Sequence, residues 1–184
     1  MKPKSSVYKG ITKKGNEIII RYPNKTDATE MLGYINTLSK EQTFILFQGE
    51  QLTLKEESRY LTSLLKKMKK GLVVTLLVFH DKTLIGVSGV EMKEKAEKHV
   101  GSLGISVANT FRGEGIGKIL MELTLEEAKK NLPNLQITTL GCFADNIVAY
   151  AMYKKFGFME YGKLPKGLLH KGSPEDHIYM YKEM

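Results

Sequence analysis

Hydrophobic and polar residues follow two patterns along this chain. Apolar runs rich in Val, Ile, Leu and Phe predict β-strands, whereas apolar residues that recur every three to four positions predict amphipathic helices. The order of these runs is β-α-α-β-β-β-α-β-α-β-β, which predicts an α+β domain with a mixed, mostly antiparallel sheet flanked by helices. The predicted strands are residues 17–22, 72–80, 83–92, 98–107, 135–143, 158–164 and 177–182, and the predicted helices follow residues 27, 53, 115 and 146.

Capping and turn residues define the ends of several predicted elements. Asp27 is expected to cap the first helix, and Thr53 with Glu56 forms a capping box for the second. Gly71 follows the last apolar position of the second helix and is expected to end it. Asp81-Lys82 separates two strand-like runs and predicts a hairpin turn.

The chain length predicts a single domain. The 184 residues are enough for one well-buried core. Residues 1–16 are polar and are expected to form a loosely ordered N-terminal extension, with residues 17–184 as one domain. A loop that carries Gly, Pro and His is expected between Leu164 and His177.

Composition narrows the class of protein. The hydrophobic fraction is 42% and the charged fraction is 26%, as in soluble globular proteins. The apolar runs are too short to cross a bilayer and no signal segment follows Met1, so a cytoplasmic location without a membrane partner is expected. The lone Cys142 lies in an apolar run, which favours a buried structural thiol over a nucleophile.

The net charge of +8 raises the question of a nucleic-acid partner. The lysines are scattered in small clusters, and no recognition helix, zinc-finger spacing or aromatic RNA-binding motif accompanies them. No nucleic-acid partner is therefore expected. The charge indicates a solvated surface that also favours a polyanionic small ligand.

The segment Arg112–Lys118 contains three glycines in five positions and lies between a strand-like run and a helix. Glycine lets the backbone approach a bulky ligand, and a helix N-terminus offers unpaired N–H groups to an anion. The spacing matches neither the dinucleotide fingerprint nor the P-loop. The segment therefore predicts a phosphate site formed by main chain, with a simple glycine-rich turn as the alternative.

Two motifs give this site a more specific meaning. Residues 107–117 read VANTFRGEGIG after a strand, and residues 146–158 read NIVAYAMYKKFGF. Together they resemble the paired signatures of the GNAT superfamily of acetyl-CoA-dependent N-acetyltransferases. The resemblance covers about residues 17–182 and implies the acyl-CoA N-acyltransferase fold.

The resemblance implies where acetyl-CoA would bind as cosubstrate, with no metal. The strand Ile105-Ser106-Val107 would part from Leu140-Gly141-Cys142, and pantetheine would lie in the gap. A main-chain N–H near Val107 would polarise the acetyl carbonyl, and the glycine loop would hold the pyrophosphate. The implied binding residues are Ile105, Ser106, Val107, Arg112, Gly113, Glu114, Gly115, Ile116, Gly117, Lys118, Asn146, Ala149 and Tyr153.

The resemblance also implies a catalytic role for Tyr153, as the general acid that protonates the leaving thiolate. A phenol is protonated at neutral pH and needs no special tuning for this role; an ordinary core ring is the alternative. The attacking amine must lose a proton, and the candidate bases are Glu91 and His99. Glu50 is a third candidate if its segment folds over the thioester.

The function implied is acetyl transfer to a primary amine by direct attack, with a small-molecule amine or amino acid favoured. A protein N-acetyltransferase acting on an N-terminal or lysine amine is one alternative. A non-catalytic acyl-CoA sensor on the same fold is another. The expected oligomeric state is a monomer or a homodimer. Acceptor recognition is expected in residues 39–53, where aromatic and polar side chains are mixed.

Overall fold

The computed structural model describes residues 6–184, which form eight strands and four α-helices. In chain order these are β1 (Tyr8–Ile11), β2 (Glu17–Arg21), α1 (Ala28–Lys40), α2 (Leu54–Lys69), β3 (Val73–His80), β4 (Thr83–Met92), β5 (Val100–Val107), α3 (Ile116–Asn131), β6 (Ile137–Phe143), α4 (Ile147–Lys155), β7 (Met159–His170) and β8 (Ser173–Glu183). Short 3₁₀ turns at Lys95–Glu97 and Asn109–Phe111 flank β5.

All eight strands lie in one sheet in the order β1-β2-β3-β4-β5-β6-β8-β7. Every neighbouring pair is antiparallel except β5 and β6, which run parallel. The predicted α+β class with a mostly antiparallel sheet is thus confirmed. Among residues 6–184, no helix combines the length and apolar character that a membrane span requires.

The sheet carries a hydrophobic core on each face, so residues 73–79 of β3 are buried without a break. Val74, Leu76 and Val78 of β3 point to the core that contains Leu120 and Met121 of α3. Val73, Leu77 and Phe79 point to the opposite core, which α1 and α2 cover with Leu38, Leu61 and Leu64. A strand that is buried on both sides shows no alternation, which explains the continuous run from residue 73 to 79.

The N-terminal residues are more ordered than the sequence indicated. Residues 8–11 form β1, which pairs antiparallel with β2 from Tyr8↔Ile20 to Ile11↔Glu17. The expectation of a loose extension is therefore wrong for this stretch, because pairing with β2 satisfies the backbone of an otherwise polar segment. Residues 1–5 lie outside the described part of the chain.

The loop expected between Leu164 and His177 is instead a long hairpin. β7 and β8 pair as far as His170↔Ser173, so only Lys171 and Gly172 connect them. Both connecting residues have positive φ, at 52° and 78°, as a tight two-residue hairpin turn requires. The two strands were predicted at residues 158–164 and 177–182, but their continuation toward the turn was missed because Gly and Pro interrupt the apolar pattern. A register shift between Leu164 and Leu168 absorbs part of that interruption.

The predicted caps are present at α2, whereas the capping bond predicted for α1 is not formed. The Thr53–Glu56 capping box is present, and Gly71 follows α2 with φ of +68°. Asp27 occupies the N-cap position of α1 but makes no capping bond. Its two carboxylate oxygens accept from Arg21 at 2.7 Å each, because a paired guanidinium fork is a stronger partner than one backbone N–H.

Candidate active site

The two parallel strands at the middle of the sheet separate after a short contact. β5 and β6 pair only from Val100↔Ile137 to Ser102↔Thr139. β5 continues its pairing with β4 as far as Val107, and β6 continues its pairing with β8 as far as Phe143. Each strand therefore keeps its outer partner while its inner edge faces a gap, which is an opening into which an extended ligand can add as a strand does.

A large cavity of about 1710 Å³ occupies this gap and the sheet surface around it. Its wall includes residues 102–107 of β5 and residues 139–143 of β6, together with the glycine segment and one side of α4. Drug-sized ligands occupy pockets of roughly 300–1,000 Å³. The cavity is therefore large enough for an elongated ligand and a second, smaller one.

The glycine segment forms one end of the cavity, at the N-terminus of α3. Gly113 and Gly115 have φ of +78° and +90°, a region that residues with a Cβ enter only with strain. Gly115 is the N-cap of α3, and its carbonyl accepts from the N–H groups of Lys118 and Ile119, whereas the N–H groups of Ile116 and Gly117 have no partner within the helix. The N–H groups of Gly113, Gly115 and Gly117 make no hydrogen bond elsewhere in residues 6–184. The turn thus offers a set of free donors at the positive end of a helix dipole.

Glu114 holds this turn in place and does not line the cavity. Its buried carboxylate accepts hydrogen bonds from Thr12 at 2.7 Å and Asn16 at 2.9 Å, with Lys14 at 3.6 Å. These contacts hold the pKa of Glu114 below its usual range. Its carbonyl also accepts from the N–H of Lys13. The side chain of Glu114 therefore anchors the glycine turn to the β1–β2 hairpin, so only its backbone can contribute to ligand binding as the sequence implied.

Arg112 connects the glycine turn to the segment that follows α1. Its Nε donates to the Val107 carbonyl at 2.9 Å and its guanidinium donates to Thr43 Oγ1 at 3.0 Å. Glu41 lies 3.9 Å from the same group. The side chain of Arg112 is thus engaged with protein groups, and it occupies one lone pair of the carbonyl of Val107, a residue that the resemblance implied for cofactor binding.

The first turn of α4 borders the cavity with Asn146 and Ala149. Asn146 Oδ1 caps the helix by accepting from the N–H of Ala149 at 3.2 Å. The Asn146 side-chain nitrogen has no partner in residues 6–184 and remains available to a ligand. The small Ala149 leaves space beside it.

Tyr153 lies on the next turn of α4, buried yet on the cavity wall. Its ring packs on Phe158 with centroids 6.2 Å apart, and its hydroxyl has no hydrogen-bond partner within residues 6–184. Burial, with a smaller contribution from Cys142, raises the pKa of Tyr153 above its usual value. The phenol therefore carries its proton throughout the neutral range and directs an unpartnered donor at the cavity.

The three carboxylate and imidazole candidates for the general base lie in different places. Glu91 is on the cavity wall at the level of Ser102, half exposed and paired with Lys67 at 2.5 Å. His99 lies outside the cavity, ahead of β5 where β5 and β6 are still joined. Glu50 is also outside it, because its carboxylate turns back to the N–H of Gln48. The geometry thus argues against His99 and Glu50, and only Glu91 faces the cavity.

On the side of the sheet that α1 and α2 cover, the segment after α1 and the β7–β8 hairpin together cover the end of the cavity beside Phe143 of β6. Phe44 packs on Phe143 of β6 and on His170 of β7, with ring centroids 5.6 and 4.5 Å apart. His170 Nε2 lies 3.0 Å from the carbonyl of Gln42, and the N–H of Lys171 donates to Gln48 at 3.3 Å. The segment after α1 and the β7–β8 hairpin therefore close over this end.

Two residues that the sequence did not indicate also reach the cavity. Lys13 comes from the β1–β2 turn and packs its side chain beside Gly115, where a Cβ would lie 3.5 Å from its Cε. His177 lies opposite Phe143 in the β6–β8 ladder. Lys13 was missed because residues 1–16 carried no strand signal. The alternation His177, Tyr179, Tyr181 does indicate one shared strand face, but it does not indicate that this face borders a cavity.

Cys142 fits the structural role expected for it. The thiol is buried on β6, and burial raises its pKa to about 11. A thiol with this pKa is protonated at neutral pH and is a poor nucleophile. This agrees with a reaction that needs no covalent intermediate on the protein.

Comparison with known proteins places the fold and the family. The acetyltransferase (GNAT) family model matches residues 35–158. L-amino acid N-acetyltransferase AaaT of Escherichia coli (strain K12) is 29% identical over 101 residues, which cover 54% of this chain and 62% of that protein. The match therefore spans less than two thirds of that relative's length.

Solved structures give the same architecture over nearly the whole chain. An acetyltransferase of the GNAT family from Streptococcus pneumoniae has a TM-score of 0.83 and 26% identity, covering 91% of this chain and 100% of that one. A ribosomal-protein-alanine N-acetyltransferase from Brucella melitensis has a TM-score of 0.78 and 22% identity, covering 90% and 99%; at that identity the likeness shows the fold alone. The family match over residues 35–158 confirms the resemblance of the two motifs, and the chain belongs to the GNAT family of acetyltransferases.

Proposed function

We propose that this protein transfers the acetyl group of acetyl-CoA to the primary amine of a small molecule, with amino acids as the favoured class. The observation that carries the proposal is the separation of β5 from β6 beyond Ser102 and Thr139, directly beside the glycine turn. A long ligand with an amide-bearing arm and a diphosphate fits this combination, since the strand edges offer main-chain groups and the turn offers free N–H donors.

The fit of acetyl-CoA rests on three features of the described residues. The free N–H groups of residues 113–117 and the cations of Lys13 and Lys118 suit a diphosphate. The inner edge of β5 suits the amides of the pantetheine arm. The side-chain nitrogen of Asn146, which has no partner in residues 6–184, supplies one further donor.

The reaction follows from the groups that face the cavity. The neutral amine attacks the thioester carbonyl, and a main-chain N–H near Val107 stabilises the developing oxyanion. The C–N bond forms as the amine nitrogen gives up one proton to a base or to water, the C–S bond breaks, and the leaving thiolate takes a proton from the Tyr153 hydroxyl, which water then restores. The raised pKa of Tyr153 keeps that proton available until negative charge develops beside it.

A small acceptor is favoured over a protein acceptor because the far end of the cavity is roofed. A protein N-terminus or lysine side chain would need an open groove. Here Phe44 packs on Phe143 and His170 lies against the Gln42 carbonyl, which joins the two segments that would form the groove walls. The relative from E. coli is named an L-amino acid N-acetyltransferase, so amino acids come first among the acceptors to test.

The experiment is a thiol-release assay with acetyl-CoA and a panel of amino acids, polyamines, aminoglycosides and short peptides. We expect CoA release with one or more small amines and little with peptides. Preference for peptides would support protein acetylation instead. Tight binding of acetyl-CoA without release for any acceptor would support a non-catalytic sensor and overturn the proposal.

A further inference from the structure

His177 lies at the edge of the gap between β5 and β6. It is opposite Phe143 in the β6–β8 ladder, so the two side chains share one face of the sheet. This is the face over which the segment after α1 and the β7–β8 hairpin close. The imidazole stacks on Tyr179 with ring centroids 4.2 Å apart. A Cβ on Gly141 would lie 2.1 Å from His177 Nε2. The ring therefore sits directly over the backbone of β6, just beyond the point where β5 leaves it.

The nitrogen atoms of this imidazole are free. No hydrogen bond to the His177 ring occurs within residues 6–184, although the ring borders the cavity. His170, on the neighbouring strand, differs in this respect: its Nδ1 lies 3.1 Å from Glu175 and its Nε2 lies 3.0 Å from the Gln42 carbonyl. Of these two imidazoles, only His177 can exchange a proton with a substrate.

The surroundings of His177 are mostly apolar. Tyr179 stacks on the ring, and Gly167 and Leu164 of β7 lie near its Cβ. Partial burial lowers the pKa of His177 below its usual value, because an apolar environment disfavours the charged imidazolium. A histidine with this environment is neutral at neutral pH and can accept a proton.

The two carboxylates that precede His177 on β8 are paired with other groups. On β8, Asp176 pairs with Lys163 of β7 at 2.9 Å. Glu175 contacts His170 and also accepts from the N–H of Asp145, which follows β6. On β6 the Cys142 thiol is buried and protonated. The proton affinity of His177 is therefore set mainly by its burial.

We propose that His177 is the general base that takes the proton from the attacking amine. This rests on the proposed acetyl transfer. As the amine nitrogen bonds to the acetyl carbon, one of its protons moves to His177 Nε2, and the C–S electrons leave with the thiolate, which takes the Tyr153 proton. Bulk water then removes the proton from His177 and restores the one on Tyr153, so the protein returns to its starting state.

Glu91 is the competing candidate on the cavity wall. It is 51% exposed on its side chain and its carboxylate is paired with Lys67 at 2.5 Å. It lies opposite Ser102, at the last pair of the joined strands. His177 of β8 lies instead opposite Phe143, on the part of β6 that has separated from β5, and its ring makes no hydrogen bond within residues 6–184. Position and availability thus both favour the imidazole.

The test compares His177→Gln with His99→Gln, which removes an imidazole from outside the cavity. We expect His177→Gln to lower kcat by about 10²-fold or more with an unchanged Kd for acetyl-CoA, and His99→Gln to resemble the wild type. The logarithm of kcat/KM should fall with a slope of about one below the pKa of the amine and about two below that of His177. His177→Gln should retain the slope of about one throughout.

Two further variants separate a catalytic from a structural role. His177→Ala should regain activity with added imidazole, and the rescue should increase with the basicity of substituted imidazoles. Gly141→Ala keeps the imidazole but displaces it, and should therefore lower kcat. The free energy of unfolding of this variant should stay close to the wild-type value. An unchanged pH slope in His177→Gln, or rescue that ignores imidazole basicity, would overturn the assignment. Absence of acetyl transfer by the wild type would instead contradict the proposed function.

Discussion

The two glycines Gly113 and Gly172 provide a matched test of the phosphate site. Both have φ of +78°, and a Cβ built on either would meet no heavy atom within 4 Å. Gly113 lies in the turn before α3, whereas Gly172 lies in the β7–β8 turn. An alanine at either position thus introduces the same backbone strain, and only one of the two turns is expected to contact acetyl-CoA.

The magnitude follows from the cost of the left-handed conformation. An L-residue there costs about 1–2 kcal/mol, and the narrower unfolded ensemble of alanine offsets about 0.4–1 kcal/mol. We expect each variant to lose about 1 kcal/mol of unfolding free energy, which lowers Tm by roughly 2–4 °C in a domain of this size. If Gly113→Ala relaxes its turn instead, the strain of about 1–2 kcal/mol returns on binding and weakens acetyl-CoA affinity by roughly 5–30-fold.

The assay is isothermal titration of each variant with acetyl-CoA, beside thermal unfolding without ligand. Gly172→Ala should lose stability and keep the wild-type Kd. Gly113→Ala should bind acetyl-CoA more weakly than Gly172→Ala. A Gly113→Ala variant that keeps the wild-type Tm has relaxed its turn, and a wild-type Kd in that variant would refute the role of the turn in holding the diphosphate.

Three further predictions concern the residues around the cavity. Tyr153→Phe should lower kcat by about 10²-fold with little change in the Kd for acetyl-CoA; wild-type turnover would remove the general-acid role. Lys13→Met should weaken acetyl-CoA binding by roughly two- to fivefold and reduce its dependence on salt, as titrations at two ionic strengths would show. Glu114→Gln should reduce acid sensitivity, because the lowered pKa of Glu114 contributes stability that is present above about pH 4.3 and is lost as the pH falls through the lowered value. Thermal unfolding across acidic pH checks this, and an unchanged acid limb in the variant would contradict it.

The sequence predicted most of the sheet because its inner strands have clear local signals. β3 and β4 begin and end within one residue of the expected bounds, since a continuous apolar run and the Asp81-Lys82 turn define them. The start of α2 was also predicted correctly, because its capping box is visible in the sequence. The parting of β5 and β6 was implied by the family resemblance alone, since no local pattern encodes where two distant strands lose contact.

The parts that were missed depend on contacts between distant residues. β1 is ordered by pairing with β2 and by the bonds of Thr12 and Asn16 to Glu114, about a hundred positions along the chain. His177 borders the cavity only because the long β7–β8 hairpin places it beside Gly141. The carboxylate of Asp27 accepts from the Arg21 guanidinium instead of from the N–H groups of the helix. Capping preferences along the sequence do not predict this competing ion pair.

The most direct test of the central claim follows the acetyl group itself. Wild-type protein is mixed with acetyl-CoA labelled with ¹³C in the acetyl group and with the best ¹⁵N-labelled amine from the acceptor panel. We predict a product with a ¹³C–¹⁵N amide bond, formed in step with free CoA, while the intact mass of the protein stays unchanged during turnover. A protein that gains the mass of one acetyl group before product forms, or CoA release without the labelled amide, would contradict direct transfer in the gap between β5 and β6.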